Sequence, residues 1–289
     1  MSVSKLARQR GLILDEIMRH QREQLPKTMR ATPLADLRAL ASLAPAPADL
    51  AAALSGPGLA LIAECKKASP SRGLLAPHYD PAGLAQAYVR GGASAVSVLT
   101  DGRHFQGSLE HLSQVKAAVS PPAALLPTPS AGRRQRAIPV LRKDFIFHPY
   151  QLYEARAAGA DAVLLIAAVL EGGELAELLN LAAELGLAAL LEVHTAGELE
   201  RALALRPRIV GLNNRDLQTF QVDLETSIRL RPLVPAGVLA VAESGIRTAA
   251  DVGRLAAAGL DAALVGESLL SSRDVAAATR ALVEAGRLG

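Results

Sequence analysis

The sequence predicts a single (β/α)8 (TIM) barrel with an N-terminal helical extension. Three observations carry this prediction: apolar runs of strand length recur eight times, helical segments separate them, and a glycine-led string recurs at near-regular spacing. Alternation of this kind implies right-handed βαβ units and a parallel sheet. Closing eight such units into a barrel leaves no exposed sheet edge.

In chain order, Ser2 to Leu25 places Leu14, Ile17 and Met18 at helical spacing, so an amphipathic helix that packs on something is expected there. Its Arg residues suggest a targeting peptide, but Asp15, Glu16 and Glu23 argue against one. A second helical pattern, Pro33 to Ala44, runs into Pro45-Ala46-Pro47, which reads as a linker. Residues 1–50 are therefore assigned to the extension and 51–289 to the barrel.

The strands are expected at Leu59–Glu64, Ala95–Thr100, Pro139–Lys143, Ala162–Ile166, Ala188–Glu192, Ile209–Asn213, Leu239–Glu243 and Ala262–Gly266. Helices are expected between them, for instance over Glu171–Leu185, Ala196–Leu205 and Ala249–Ala258. The repeated string is Gly92-Ala-Ser-Ala-Val-Ser-Val, Gly159-Ala-Asp-Ala-Val-Leu-Leu and Gly259-Leu-Asp-Ala-Ala-Leu-Val, each a helix C-terminal glycine followed by a buried strand. Gly159 and Gly259 lie 100 residues apart over four units, or 25 per unit, whereas Gly92 and Gly159 lie 67 apart over two. The excess falls on 121–137, which carries four prolines and three arginines with no hydrophobic period and reads as an inserted mobile loop at the barrel face opposite the site. The rival, a doubly wound open sheet, lacks its G-x-G-x-x-G fingerprint, because Glu64 is followed by Cys-Lys-Lys-Ala-Ser-Pro.

Composition narrows the function. Half of the residues are hydrophobic and the net charge is only +3, so the chain can bury a core and offers no basic stripe for nucleic acid. No apolar run is long enough to span a membrane. Cys65 is the single cysteine, which excludes an intrachain disulfide and suggests a reducing compartment, the cytoplasm.

Barrel active sites lie at the C-terminal ends of the strands. Those ends supply Glu64 and Lys66, Lys143 with Asp144, Glu192, Asn213, Arg215, and Glu243 with Ser244. Residues two apart on a strand share a face, so Glu64 and Lys66 are expected in the mouth while Cys65 faces the helices and Lys67 leaves the pore. The chain has 25 Arg and 6 Lys, so a lysine kept at a strand end suggests proton transfer or close phosphate contact. Two of its three asparagines, Asn213 and Asn214, also stand at one strand end. The loops after strands seven and eight, Glu243-Ser244-Gly245-Ile246-Arg247 and Val265-Gly266-Glu267-Ser268, offer glycine backbone for a phosphate, with Ser69-Pro70-Ser71-Arg72-Gly73 after strand one. Glu192 and His194 share a face, but nothing completes a metal ligand set, and no metal is expected. The nucleophile elbow G-x-S-x-G is absent. A lysine beside carboxylates also suits a Schiff-base aldolase, and a barrel that merely binds a phosphorylated metabolite stays open.

The strings Ile62-Ala-Glu-Cys-Lys-Lys-Ala-Ser-Pro-Ser-Arg-Gly73, Leu141-Arg-Lys-Asp-Phe-Ile146, Leu191-Glu-Val-His194, Gly211-Leu-Asn-Asn-Arg-Asp-Leu217 and Ala242-Glu-Ser-Gly-Ile246 together resemble the indole-3-glycerol-phosphate synthase family over nearly the whole chain. The resemblance implies a carbon-carbon lyase (carboxy-lyase) of tryptophan biosynthesis. Such an enzyme converts 1-(2-carboxyphenylamino)-1-deoxyribulose 5-phosphate to indole-3-glycerol phosphate, with no cofactor and no obligate protein partner. By motif position it implies Lys143 as general acid, Lys66 on carboxylate or phosphate, Glu192 as acid or base in dehydration, and Glu64 orienting the lysines. It further implies Asn213 and Arg215 on the anthranilate carboxylate and Glu243 and Ser244 on sugar hydroxyls. The phosphate would lie on Ser69, Gly245, Gly266 and the backbone at Glu267, and Phe105, Phe145, Leu164 and Ile166 would form the wall for the aromatic ring.

Overall fold

The computed structural model describes residues 3–70, 72–120, 137–171, 173–216 and 221–288. The expectation of a loop at 121–137 falls, apart from Ala137, outside the described residues.

Eight parallel strands close into a barrel: β1 (Ala60–Cys65), β2 (Ala95–Leu99), β3 (Val140–Lys143), β4 (Ala162–Ile166), β5 (Ala188–Val193), β6 (Ile209–Asn213), β7 (Leu239–Glu243) and β8 (Ala262–Val265). Closure is made by β1, which pairs with β8 from Ala60↔Ala262 and with β2 from Ile62↔Ala95. The expected strands thus agree with the observed ones to within one residue at each end. The helices are α1 (Val3–Ala31), α2 (Leu34–Leu43), α3 (Leu50–Leu54), α4 (Pro81–Gly91), α5 (Gly102–Phe105), α6 (Leu109–Val119), α7 (Pro149–Ala157), α8 (Glu174–Glu184), α9 (Ala196–Leu203), α10 (Glu225–Leu230), α11 (Ala249–Ala257), α12 (Glu267–Leu270) and α13 (Val275–Leu288). None of the described helices is long and apolar enough to cross a membrane.

Strand alternation sorts the apolar residues into two cores. One set, including Ile62, Leu141, Leu190, Ile209 and Val241, fills the barrel; the other, including Cys65, Val98, Val163 and Leu165, packs under the helices. The barrel's floor is closed by α3, whose Leu50 and Leu54 are buried against the inward residues. Periodicity gave no sign of this five-residue helix. Its Asp49 N-cap accepts from Ala52 N at 3.2 Å.

The first helix runs through Pro26 to Ala31, six residues beyond the expected end at Leu25. A proline inside a helix removes one ladder hydrogen bond, so the last turn needs outside support. Tyr150 of α7 supplies it: the ring packs with Leu25 and Leu37, and its hydroxyl donates to Thr32 O at 2.8 Å and Thr28 O at 3.4 Å. In the middle of the same helix, Ile17 and Met18 are buried, as their spacing required.

The repeated glycine string has a bonding role at the floor. Gly92, Gly159 and Gly259 all have left-handed backbone, with φ of 97°, 89° and 81°, which ends each helix and turns the chain into the next strand. Two residues later, Asp161 accepts from Val140 N at 2.7 Å, the first N–H of β3, and Asp261 accepts from Ala240 N at 2.8 Å, the second of β7. Asp161, 1% exposed, also takes Lys116 Nζ at 2.7 Å and Ala48 N at 2.7 Å, so it fastens the linker, α6 and β3 to one carboxylate.

Removing that carboxylate strands buried N–H groups, and hydrogen bonds to a charged acceptor contribute about 1.5–3 kcal/mol each. Asp161→Ala is expected to lower unfolding stability by about 3 kcal/mol, measured as a fall in the urea midpoint at unchanged slope. A midpoint equal to that of the parent would show that the floor network is dispensable.

Candidate active site

The C-terminal ends of the strands open into one cavity of about 470 Å³, within the range typical for small-molecule sites. Every residue that the sequence points to lines it: Glu64, Lys66, Lys143, Glu192, Asn213, Glu243 and Ser244 among the polar groups of the strand ends, Arg215, Ser69, Gly245, Gly266 and Glu267 at one end, and Phe105, Phe145, Leu164 and Ile166 on the apolar wall. Alternation explains the sorting on β1. Glu64 projects into the cavity and Lys66 follows on the same side, while Cys65 is fully buried among Ala85 and Tyr88, where burial pushes its thiol well above the usual range. That thiol is structural. Lys67 is absent from the cavity lining, as alternation required.

The centre of the site is a buried charge network. Lys143 Nζ lies 3.3 Å from Glu192 Oε2 and 3.4 Å from Glu243 Oε2, and Lys66 Nζ lies 2.7 Å from Glu64 Oε1. Burial favours a neutral Lys143, but the carboxylates of Glu192, Glu243 and Glu64 outweigh it and hold the ammonium well above its ordinary pKa. Burial pushes Glu192 up as well, yet Lys143, His194 and a hydrogen bond from Asn213 bring it below the carboxylate range. Glu243 goes the other way: burial and the charge on Glu192 raise it, against the pull of Lys143. Glu64 is kept ionised despite burial by Lys66, Lys143 and Arg215.

Two glycines make room for these carboxylates. A Cβ on Gly211 of β6 would stand 2.1 Å from Glu243 Oε1, and one on Gly266 would stand 2.6 Å from Glu64 Oε1. Neighbouring strands therefore carry no side chain where a functional side chain must lie.

The adjacent asparagines have opposite duties. Asn213 points inward and its Oδ1 accepts from Arg215 N at 3.0 Å. Asn214, 1% exposed, points outward: its Nδ2 donates to Ser244 O at 3.1 Å and its Oδ1 accepts from Ser227 N at 2.9 Å. This staple holds Ser244 in a left-handed conformation, φ 67°, that a serine rarely adopts. The next residue, Gly245, is also left-handed at φ 80°, and a Cβ there would strike Val222 Cγ1 at 2.3 Å. The loop thereby turns its backbone toward Gly266 at the start of α12.

That end of the cavity is cationic. Arg72, Arg215 and Arg247 line it, with Arg72 Nε 2.5 Å from Glu267 Oε1. Burial and the repulsion of Arg247 and Arg72 lower the pKa of Arg215, opposed by Glu267 and Glu64. Converging guanidinium groups beside glycine-containing loop backbone have the chemistry that suits a phosphate dianion. The opposite wall is apolar. Phe105 and Phe145 lie 6.3 Å apart between ring centroids, next to Leu164, Ile166 and Leu99.

Leu14 and Ile17 of α1 also line the cavity, and Gln21 on the same helix donates to Asp101 Oδ2 at 2.8 Å. Asp101 in turn caps α5, which carries Phe105. These residues escaped sequence reasoning because the amphipathic stripe shows that α1 packs, not what it packs against. Arg72 and Arg247 lie inside the loop strings singled out for phosphate and could have been named from them. Sequence spacing alone offers His194 no role beyond a metal ligand beside Glu192. Among the described residues no group of three or more His, Cys, Asp or Glu side chains has the arrangement of a metal site.

The family model for indole-3-glycerol phosphate synthase matches residues 14–282 of the chain. Proteins named indole-3-glycerol phosphate synthase from Mycobacteroides abscessus and Dehalococcoides mccartyi are 48% and 47% identical to it. The first alignment covers 96% of this chain and 95% of the relative, the second 94% and 100%. Among solved structures, thiamine phosphate pyrophosphorylase from Pyrococcus furiosus superposes with a TM-score of 0.58 at 17% identity, covering 82% of this chain and 97% of the other. N-acetylmannosamine-6-phosphate 2-epimerase from Clostridium perfringens gives 0.55 at 17%, covering 74% and 89%. At such identities these two likenesses bear on the barrel fold alone.

Inorganic phosphate is expected to raise the Tm of the protein, with about 2.7 kcal/mol of stabilisation at a hundredfold excess over its Kd. Gly245→Ala should abolish the effect, since the added methyl has no space at φ 80°. Thermal melts across a phosphate series check both, and a Tm insensitive to phosphate in the unaltered chain would refute the assignment of that end.

Proposed function

This chain belongs to the indole-3-glycerol phosphate synthase family, and we propose that Lys143 is the general acid of its reaction and Glu192 its general base. The enzyme is a carboxy-lyase of tryptophan biosynthesis that closes the ring of 1-(2-carboxyphenylamino)-1-deoxyribulose 5-phosphate, with loss of carbon dioxide and water, to give indole-3-glycerol phosphate. The observation that carries the residue roles is the largely buried ammonium of Lys143, held between Glu192 and Glu243 at 3.3 and 3.4 Å.

Ring closure turns a carbonyl into an alkoxide as the aromatic carbon attacks it. A developing alkoxide is far more basic than a lysine, even one stabilised by carboxylates, so proton delivery from Lys143 runs downhill as the new bond forms. Decarboxylation then restores the aromatic ring. Dehydration requires a proton for the departing hydroxyl and removal of one from the neighbouring methylene. Glu192, kept ionised at the cavity floor, suits the second task.

Binding is divided along the cavity. The phosphate takes the cationic end at Ser69, Gly245, Gly266 and the Glu267 backbone, with Arg72 and Arg247 adding charge. Lys66, tied to Glu64, reaches toward the substrate's anions. Asn213 and Arg215 hold the ring carboxylate until it leaves, and Glu243 and Ser244 hold the sugar hydroxyls. Phe105, Phe145, Leu164 and Ile166 cover the aromatic ring. A Schiff-base mechanism at Lys143 is disfavoured by the same geometry, because an amine kept protonated by its pairing with Glu192 is a poor nucleophile.

Incubating the protein with the carboxyphenylamino-ribulose phosphate and following the fluorescence of the indole product tests the activity directly. Lys143→Ala is expected to lower kcat by at least ~10²-fold, the lower range for general acid catalysis, while circular dichroism reports an intact barrel. A kcat near that of the parent would remove Lys143 from the role.

A further inference from the structure

Glu192 and Glu243 flank Lys143 at nearly equal distance and are almost equally buried, with side chains 3% and 2% exposed. Distance to the lysine therefore cannot determine which carboxylate carries the negative charge. Their other neighbours differ. His194, two residues beyond Glu192 on β5, brings Nε2 to 3.3 Å from Glu192 Oε1 and Nδ1 to 3.3 Å from Glu198 Oε2. Neither oxygen of Glu243 makes a hydrogen bond to a described protein group.

We propose that His194 is a positioning residue of the reaction, an imidazolium fixed by Glu198 that assigns the negative charge to Glu192 and leaves Glu243 the protonated partner. The inference rests on the reading of Glu192 as the base and extends it to the group that keeps it one.

Nδ1 of His194 is hydrogen-bonded to Glu198, and Nε2 stands at ion-pair distance from Glu192 without hydrogen-bond geometry; with acceptor-only carboxylate oxygens at 3.3 Å from both nitrogens, the doubly protonated ring is the form this setting favours. The ring has little freedom to do otherwise. Its side chain is 9% exposed, and Glu198 Oε2 also accepts from the His194 backbone N at 2.8 Å. Glu198 is itself pinned by the start of α9, where Thr195 Oγ1 accepts from Glu198 N at 3.2 Å. Burial opposes the charge on His194, but its interactions with Glu192 and Glu198 raise the pKa to about 10, so the ring is charged throughout the physiological range. With the imidazole beside Oε1, Oε2 of Glu192 accepts from Lys143 Nζ at 3.3 Å.

The groups that set the ionisation of Glu192 are thus Lys143 from β3, Asn213 from β6, Glu243 from β7 and His194 just past the end of β5, with Glu64 of β1 acting through Lys143 and Glu198 of α9 through His194. An opposite charge within about 4 Å lowers a carboxylate by roughly one to three pH units. Loss of the imidazolium lets Glu192 protonate at higher pH, so the acid limb of activity, which rises as Glu192 ionises, moves upward.

In His194→Gln, which keeps a donor toward Glu192 but no charge, the acid limb of the kcat profile is expected to move up by about one pH unit, so that kcat falls about tenfold at pH values on that limb and little on the plateau, with KM within about threefold. Glu198→Gln should move the limb in the same direction by less. Nitrogen-15 NMR of the imidazole in the resting enzyme should show both His194 nitrogens protonated through about pH 8. A neutral ring at that pH, or equal activity loss at all pH values with an unmoved limb, overturns the proposal. Should His194→Gln fail to fold, Glu198→Gln and the NMR titration decide. Glu192→Gln separates the two readings: retained activity there refutes Glu192 as the base while the NMR result on His194 stands by itself.

Discussion

A lysine ammonium held largely out of water among glutamates at the barrel mouth is the constraint around which this molecule is organised. Taking Lys143 out of water is tolerable only because glutamate side chains stand within 3.4 Å on two sides, Glu192 carrying the compensating charge. Those carboxylates must be buried too, so each requires space and a partner of its own. Gly211 provides space for Glu243 and Gly266 for Glu64; Lys66 partners Glu64 and His194 partners Glu192. Few of these side chains can change without leaving a charge uncompensated, which ties five strands to one electrostatic arrangement.

The parallel barrel is suited to that demand. Every strand ends at the same face, so one inward residue from each arrives at a common centre while its neighbours in sequence are sent to the helix layer. Cys65 and Lys66, or Asn213 and Asn214, show how sharply the division falls. In each pair one residue meets the cavity and the other helps to hold the scaffold. Asn214 does so by bonding Ser244 and Ser227, and thereby supports the left-handed turn that presents the Gly245 loop.

Elements outside the barrel complete the site and close its floor. Leu50 and Leu54 of α3 seal the end away from the chemistry, and Asp161 fastens the linker before it to β3 and α6. At the mouth, α1 adds Leu14 and Ile17 to the wall and reaches Asp101 through Gln21, which couples the extension to the segment bearing Phe105. The extension is thus joined to the site as well as to the outer helices.

The sequence by itself determined the barrel, its eight strands and the polar groups at their ends. Hydrophobic alternation, helix-ending glycines and the face of each strand are local properties that survive in one dimension, and the quoted strings carried the family. Tertiary structure alone decided the rest. Pro26 marks a helix end locally, yet Tyr150, more than a hundred residues away, carries the helix past it. The five residues of α3 are too few to show a period, and their burial depends on a floor formed by strands elsewhere in the chain. His194 looks like an isolated histidine in sequence, because its two carboxylate partners come from the strand beneath it and the helix beyond it. Which of two equivalent glutamates holds the charge is set by such neighbours, and electrostatic energy depends on distances in space that spacing along the chain does not encode.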